Sequence, residues 1–170
     1  DLYSEFGCGL GLNPSSPDPA LNDLSVAVLP LPGGEFYHFG TNRDMIESTM
    51  AIQNLVKDQR YILRRGIKPQ GSVFTQNCVL KNSPTAQGRN IWVENSLVGE
   101  GWQYSFDHIL TGIPRNDWHV TLSDGICLDI VPIGSAGFAL RPYGYADAFR
   151  GNVEDASTLF LGQPVNEWLQ

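Results

Sequence analysis

The chain has 170 residues, 42% hydrophobic and 17% charged, enough to bury a real core and far from a disordered composition. Its formal net charge is −7 with only 11 Lys+Arg, a balance that argues against nucleic acid or an anionic membrane as partner. A small anion such as a sugar phosphate is not excluded, because a few local donors can hold it.

In chain order, Asp1–Leu12 is expected to form a short helix that stops at Gly7, Gly9 and Gly11. Asn13–Asn22, with three prolines, reads as a loop, and Leu24–Leu31 as a buried strand ending near Pro30. Pro32-Gly33-Gly34 is a turn signal, and Glu35–Phe39 a second strand, so the two runs are expected to pair as a hairpin. Gly40 then allows a sharp change of direction, and Thr41 with Asp44 three residues later has the spacing of a helix capping box. The helix is expected to run to about Arg65 and stop at Gly66. Its apolar stripe is Met45, Ile46, Met50, Ile52, Leu55, Val56 and Ile62. Lys57, Arg60, Arg64 and Arg65 lie late in it, where cations suit the helix dipole; a phosphate contact is the alternative reading.

From Ile67 on, short strands are expected at 72–75, 78–80, 90–94, 97–98, 108–111, 119–122, 126–133 and 137–140. Residues 91–114 fall into four six-residue frames, with an apolar residue at Ile91, Leu97 and Ile109 and a miss at Gln103. A six-residue period suits the triangular coil of a left-handed parallel β-helix, in which each face points one aliphatic side chain inward. An irregular β-sandwich is the alternative. The expected fold is therefore mainly β with one long helix. It divides into a hairpin-plus-helix segment over 1–66 and a single-stranded parallel β-helix over 67–170.

Candidate chemistry is sparse. His38 lies among aromatics on the second strand; His108 and His119 follow Asp107 and Trp118 and could serve as a base in acyl transfer, although a turn histidine is the blander reading. Glu94, Glu100, Asp124 and Asp129 sit on separate turns and suggest no carboxylate pair. Trp92, Trp102, Tyr104, Trp118 and Trp168 could stack on sugars, but core and corner packing is the commoner use of such residues. No phosphate-binding GxxxxGK[ST] loop and no GxGxxG-to-helix signal is present. Cys8, Cys78 and Cys127 are widely spaced, odd in number and without zinc spacing, so they read as reduced thiols in a cytoplasmic protein. No run approaches the ~20 apolar residues of a membrane span, and no signal peptide is visible. The chain opens on Asp1 and ends at Gln170 without terminal features, which reads as a piece of a longer protein; a processed N-terminus would look the same.

Several long runs carry a family resemblance: Leu24–Thr41 (LSVAVLPLPGGEFYHFGT), Gln53–Arg60, Trp92–Trp102 (WVENSLVGEGW), Ile109–Pro114, Asp129–Gly134, Arg141–Gly144 and Phe149–Gly151. Together they resemble the bacterial bifunctional L-fucokinase/L-fucose-1-phosphate guanylyltransferases over nearly the whole chain. Phe36–Thr41 also resembles the turn that closes the sugar pocket in sugar-1-phosphate nucleotidyltransferases, where it leads into a parallel β-helix.

The resemblance implies a parent with a nucleotidyltransferase core that forms GDP-L-fucose from GTP and L-fucose 1-phosphate, a middle β-helix and a C-terminal kinase. This chain would match the end of the core and the middle part, and would be chiefly structural. No cofactor is expected on the chain itself, with Mg²⁺ in the parent. At the position of His38, related nucleotidyltransferases carry an Asp that binds Mg²⁺, and a neutral imidazole is a poor substitute ligand. His38 is therefore expected to contact the sugar phosphate, with Glu35, Tyr37, Thr41 and Arg43 as weaker members of the same rim and no catalytic or metal residue assigned. Self-association into a homo-oligomer is expected because β-helix ends need covering. A hexapeptide-repeat acyltransferase and a carbohydrate-binding module are the alternative functions.

Overall fold

In the computed structural model the residues described are 2–21, 24–55, 71–84, 87–135, 137–148 and 150–170. The chain divides into two compact units, Asp1–Phe36 and Tyr37–Gln170. In the first, a wide helical turn Leu2–Phe6 runs into a 3₁₀ turn Gly7–Gly9. Gly9 is buried there, and a Cβ on it would lie 2.5 Å from the Leu21 side chain. The expected turn at 31–34 forms, with the Gly34 N–H donating to Leu31 O at 3.0 Å and Gly33 at φ +71°.

The hairpin around that turn does not form: residues 24–39 carry no strand. Pro30 and Pro32 remove two ladder donors. The apolar side chains are also left largely to solvent, with Val28 89%, Leu29 88%, Leu31 80% and Phe36 88% exposed. A lone two-stranded ribbon without a covering layer is marginal in water.

The second unit opens with helix α1, Asn42–Asn54, capped at its C-terminus by Leu55. The expected continuation to Arg65, the basic cluster and the stop at Gly66 lie outside the described residues, as does the expected boundary at 66/67. Beyond it come β1 (Val73–Gln76), β2 (Val79–Leu80), β3 (Arg89–Glu94), β4 (Leu97–Val98), β5 (Trp102–Gln103), β6 (Phe106–Thr111), β7 (Val120–Thr121), β8 (Ile126–Ile133) and β9 (Gly137–Gly144). A small antiparallel pair, β10 (Leu159–Phe160) and β11 (Gln163–Pro164), leads into a final turn of helix, α2 (Val165–Trp168).

The strands make three parallel ladders: β1-β3-β6-β8, β2-β4 and β5-β7. Outside the β3–β6 pair, partners lie 18 residues apart, as in Val73 opposite Ile91, Val79 opposite Leu97, Trp102 opposite Val120 and Leu110 opposite Leu128. Three sides of six residues give that repeat, so the second unit is a helix-preceded parallel β-solenoid. β9 then folds back antiparallel on β8 and closes the long sheet at one edge.

The six-residue period was correctly legible, but its phase was not. Ile91 fills the coil as expected. Leu97, however, is only half-buried and its neighbour Val98 is fully buried; Gln103 is exposed and Trp102 is fully buried. Ile109 packs outside the coil, while Leu110 packs inside. From Trp102 onward the cause is one missing residue: β3 and β6 are 17 residues apart, as in Ile91 opposite His108. The Leu97 N–H reaches Ile113 O, one residue closer in sequence than Val79 to Ser96 in the previous coil, whereas Trp102 and Val120 keep the step of 18. The omission therefore falls between Val98 and Trp102, where the Trp102 N–H closes a tight turn onto Gly99 O.

Two columns of left-handed residues turn the corners. Asn77 (φ 48°), Asn95 (φ 49°) and Gly112 (φ 68°) form one, tied by Asn77 Nδ2 donating to Asn95 Oδ1 at 2.6 Å. Asn90 (φ 56°), Asp107 (φ 61°) and Gly125 (φ 81°) form the other, tied by Asn90 Nδ2 donating to Asp107 Oδ1 at 2.7 Å. Asn, Asp and Gly are the residues that tolerate this conformation. A Cβ on Gly112 would lie 2.2 Å from Ile130 O, whereas one on Gly125 would meet open space. Gly125→Ala should thus cost about 1–2 kcal/mol, the backbone penalty alone. Gly112→Ala should cost clearly more, because the clash is with backbone; urea unfolding of the two variants checks the order.

Candidate functional site

Thr41 adopts an extended conformation (φ −133°, ψ 168°) and its Oγ1 accepts the Asp44 N–H at 3.1 Å, which is the expected N-cap of α1. The helix is held to the outer face of the long sheet by Ile46, fully buried against Phe74, Ile109, Cys127 and Tyr145. Asn42 Nδ2 also reaches Tyr145 O at 3.4 Å. The α1 N-terminus is therefore fixed on the solenoid by apolar packing and one polar tie.

His38 lies just before this cap. Its Nδ1 is 3.2 Å from Asp44 Oδ2, and its carbonyl accepts the Ser48 hydroxyl at 2.6 Å. The Thr41 hydroxyl holds the Asp44 carboxyl below its ordinary value; desolvation, the next effect in size, opposes it, and His38 adds to the lowering.

Two hollows flank the helix N-terminus. One, about 320 Å³, is lined by Phe39, Gly40, Thr41, Asn42, Met45 and Asp147. The other, about 310 Å³, includes Arg43, Asp107, Asp124, Tyr145 and Asp147. Asp147 lines both, its Oδ2 taken up by the N–H groups of Gly144 (2.6 Å) and Leu161 (3.1 Å).

Of the five rim residues, His38 and Thr41 are brought together through Asp44. Arg43 is exposed and lines the second hollow, Tyr37 is half-buried, and Glu35 belongs to the N-terminal unit. Sequence reading missed the role of Asp44 and Ser48 beside His38. The capping-box spacing was the available signal for Asp44, while nothing in the sequence marked its turn back toward a histidine six residues earlier.

Most residues behind the alternative readings are taken up in packing. His108 is fully buried inside the coil, where its Nε2 accepts the Ser105 N–H at 3.1 Å and its Nδ1–H donates to Ile126 O at 2.7 Å. Neither the acyl-transfer base nor the surface-turn reading describes it; it is a satisfied core residue. His119 is exposed and lines a separate corner hollow of about 270 Å³ with Lys81, Glu100, Asn116 and Asp117. Trp102 and Tyr104 are buried, and Trp118 packs against Trp102 with ring centroids 6.3 Å apart. Trp168 is half exposed but sits edge-on against Phe160 and donates its Nε1–H to Phe160 O. No disulfide joins the three cysteines, and burial pushes the Cys127 thiol up to about 12.

Among the described residues no three His, Cys, Asp or Glu side chains converge as a metal site, and no helix is long and apolar enough to cross a membrane.

The fold and the capped helix define a parallel β-solenoid that carries a restrained histidine at the helix N-terminus. The chain is 47% identical over 169 residues to the L-fucokinase/L-fucose-1-P guanylyltransferase of Bacteroides fragilis, an alignment that covers 99% of this chain. The chain is a homologue of one segment of that protein, and spans 18% of its length. No family profile matches the chain, and no solved structure matches it.

Burial lowers the His108 pKa below 6.5, ahead of the opposing hydrogen bond to Ile126 O and the nearby Asp124 and Asp107. The unfolded chain therefore binds a proton that the folded one refuses, so stability is complete above pH 6.5 and falls as pH drops through the window below it. Chemical unfolding between pH 7.5 and about 5 should show this slope, and His108→Gln should flatten it.

Proposed function

We propose that this chain is a segment of a bifunctional enzyme that forms GDP-L-fucose from L-fucose 1-phosphate and GTP, fused to a kinase that supplies the sugar phosphate from L-fucose. The single observation that carries this reading is the 47% identity, maintained along 99% of the chain. In the reaction an oxygen of the sugar phosphate bonds to the α-phosphorus of GTP as pyrophosphate leaves, with the developing charge offset by positioned groups.

The chain contributes a scaffold and a rim. The solenoid holds α1, and α1 presents His38 as a hydrogen-bonding group for the sugar phosphate or a fucose hydroxyl. Glu35, Tyr37, Thr41 and Arg43 are secondary members of the rim, and none of the five is assigned a catalytic step. Mg²⁺ belongs to the whole enzyme in this reading. His38 beside Asp44 offers one nitrogen and one carboxylate, a poor match to an ion that prefers octahedral oxygen, so Mg²⁺ would be held by residues outside this chain.

The exposed apolar run from Leu24 to Phe36 supports the view that residues 1–66 complete a nucleotidyltransferase region and 67–170 form the solenoid part. A cytoplasmic homo-oligomer, with neither nucleic acid nor membrane as partner, fits cysteines that form no disulfide, the net charge of −7 and the edge strands of the solenoid.

In the full-length protein, His38→Ala should lower guanylyltransfer about tenfold or more while leaving L-fucose phosphorylation unchanged. Normal guanylyltransfer by that variant would remove His38 from the rim. Calorimetric titration of the 170-residue chain with L-fucose 1-phosphate, against L-fucose, mannose 1-phosphate and acetyl-CoA, separates a self-sufficient rim from one completed by the rest of the enzyme.

A further inference from the structure

His38 is exposed, with 65% of its side chain open to solvent, yet it is restrained in three independent ways. Asp44 Oδ2 stands 3.2 Å from Nδ1 and fixes that edge of the ring. The ring lies against Gly40, where a Cβ would come within 2.1 Å of Cε1, so only glycine lets it rest there. The Ser48 hydroxyl, one turn along α1 from Asp44, pins the His38 carbonyl at 2.6 Å. Asp44 is itself immobilised, because its backbone N–H donates to Thr41 Oγ1 in the capping box. An exposed imidazole that served only solubility would require none of this, since ordering a surface side chain costs entropy.

We propose that Asp44 is a positioning residue for His38, holding the neutral imidazole in its Nδ1–H form and in one orientation over Gly40, so that the ring meets the sugar phosphate pre-set. The inference rests on the reading of His38 given above and extends it to a residue that touches no substrate. A carboxylate that accepts from Nδ1–H leaves the lone pair of the neutral ring on Nε2, the opposite of the Nε2–H form that free imidazole side chains favour. The role is separable from helix capping. Thr41 Oγ1 takes the backbone N–H of residue 44 whatever its side chain, so losing the carboxylate leaves that half of the capping box intact.

The test uses two readouts. The first is the tautomer of His38 from ring ¹⁵N shifts in the 170-residue chain, which has three histidines, with the sealed His108 as internal control. The second is guanylyltransfer by the full-length protein. Asp44→Ala should move His38 to the Nε2–H form without moving His108, and should raise KM for L-fucose 1-phosphate about fivefold with little change in kcat. Asp44→Asn retains an acceptor oxygen and should restore most of both.

Unchanged His38 shifts in the Asp44→Ala variant overturn the proposal. So does a changed tautomer with unchanged KM, if His38→Ala impairs transfer in the same assay: the rim would then stand and the positioning role would fall. If His38→Ala transfers normally, the rim reading falls first and Asp44 is left as a capping residue only.

Discussion

The structure depends on the closure of each coil after three short sides. Backbone hydrogen bonds run between successive coils, so a residue is stabilised by partners about 18 positions away, and every inward side chain must fit the one above it. Ile91, Val93, Val98, Trp102, Leu110, Ile113, Leu128 and Ile130 satisfy that demand as one continuous core. The corners satisfy it differently. Their left-handed residues must stack as well, and the amide of Asn77 or Asn90 bonds its neighbour in the next coil across a turn that would otherwise be held only by backbone.

The same alternation creates the platform for the site. Along a strand every second residue faces out, so the long sheet that lines the coil with Ile91 and Leu110 also shows Phe74, Trp92, Ile109 and Cys127 on its outer face. That second apolar face is the seat of α1, with Ile46 at its centre. Burying a side chain of this kind is worth about 1.5–3 kcal/mol. A helix so anchored can hold its first turn, and with it the segment from His38 to Asp44, in a fixed position. The outer layer thus converts solenoid regularity into a precise local geometry.

How much of this was legible follows from where each signal resides. Local chemistry was readable: the Thr41 cap and Asp44 at capping-box spacing, the turn at Gly33-Gly34, and strands such as Leu97–Val98 and Ile126–Ile133. The hexad period was readable because its length is imposed by coil geometry. Its phase was not, because a single missing residue between Val98 and Trp102 shifts every later inward position, and tryptophan at the shifted site looks like a miss followed by noise. Ile109 was misread for a related reason: on a sheet buried on both faces, an apolar residue does not announce which side it serves. The pairing of 24–31 with 35–39 failed because strand propensity says what a segment can do when a partner surface exists, and supplies no surface. The His38–Asp44 contact was invisible for a geometric reason, since it requires a turn at Gly40 tight enough to lay the ring over that glycine.

The electrostatics of the two hollows separate the rim residues further. Arg43 shares its hollow with Asp107, Asp124 and Asp147, three carboxylates against one guanidinium. Hydrogen bonds from Asn90 to Asp107 and from backbone N–H groups to Asp147 satisfy those oxygens but do not remove their charge. A phosphate placed there would gain one attraction and meet several repulsions of similar range. Among its described lining residues the hollow on the Thr41 side has one acidic group, Asp147, and it opens beside the N-terminus of a 13-residue helix whose first turn carries the Asp44 carboxylate. His38 and Thr41, joined through Asp44, belong to that helix end. The two ends of the proposed rim thus differ in charge, with Arg43 among three carboxylates and His38 beside one, that of Asp44.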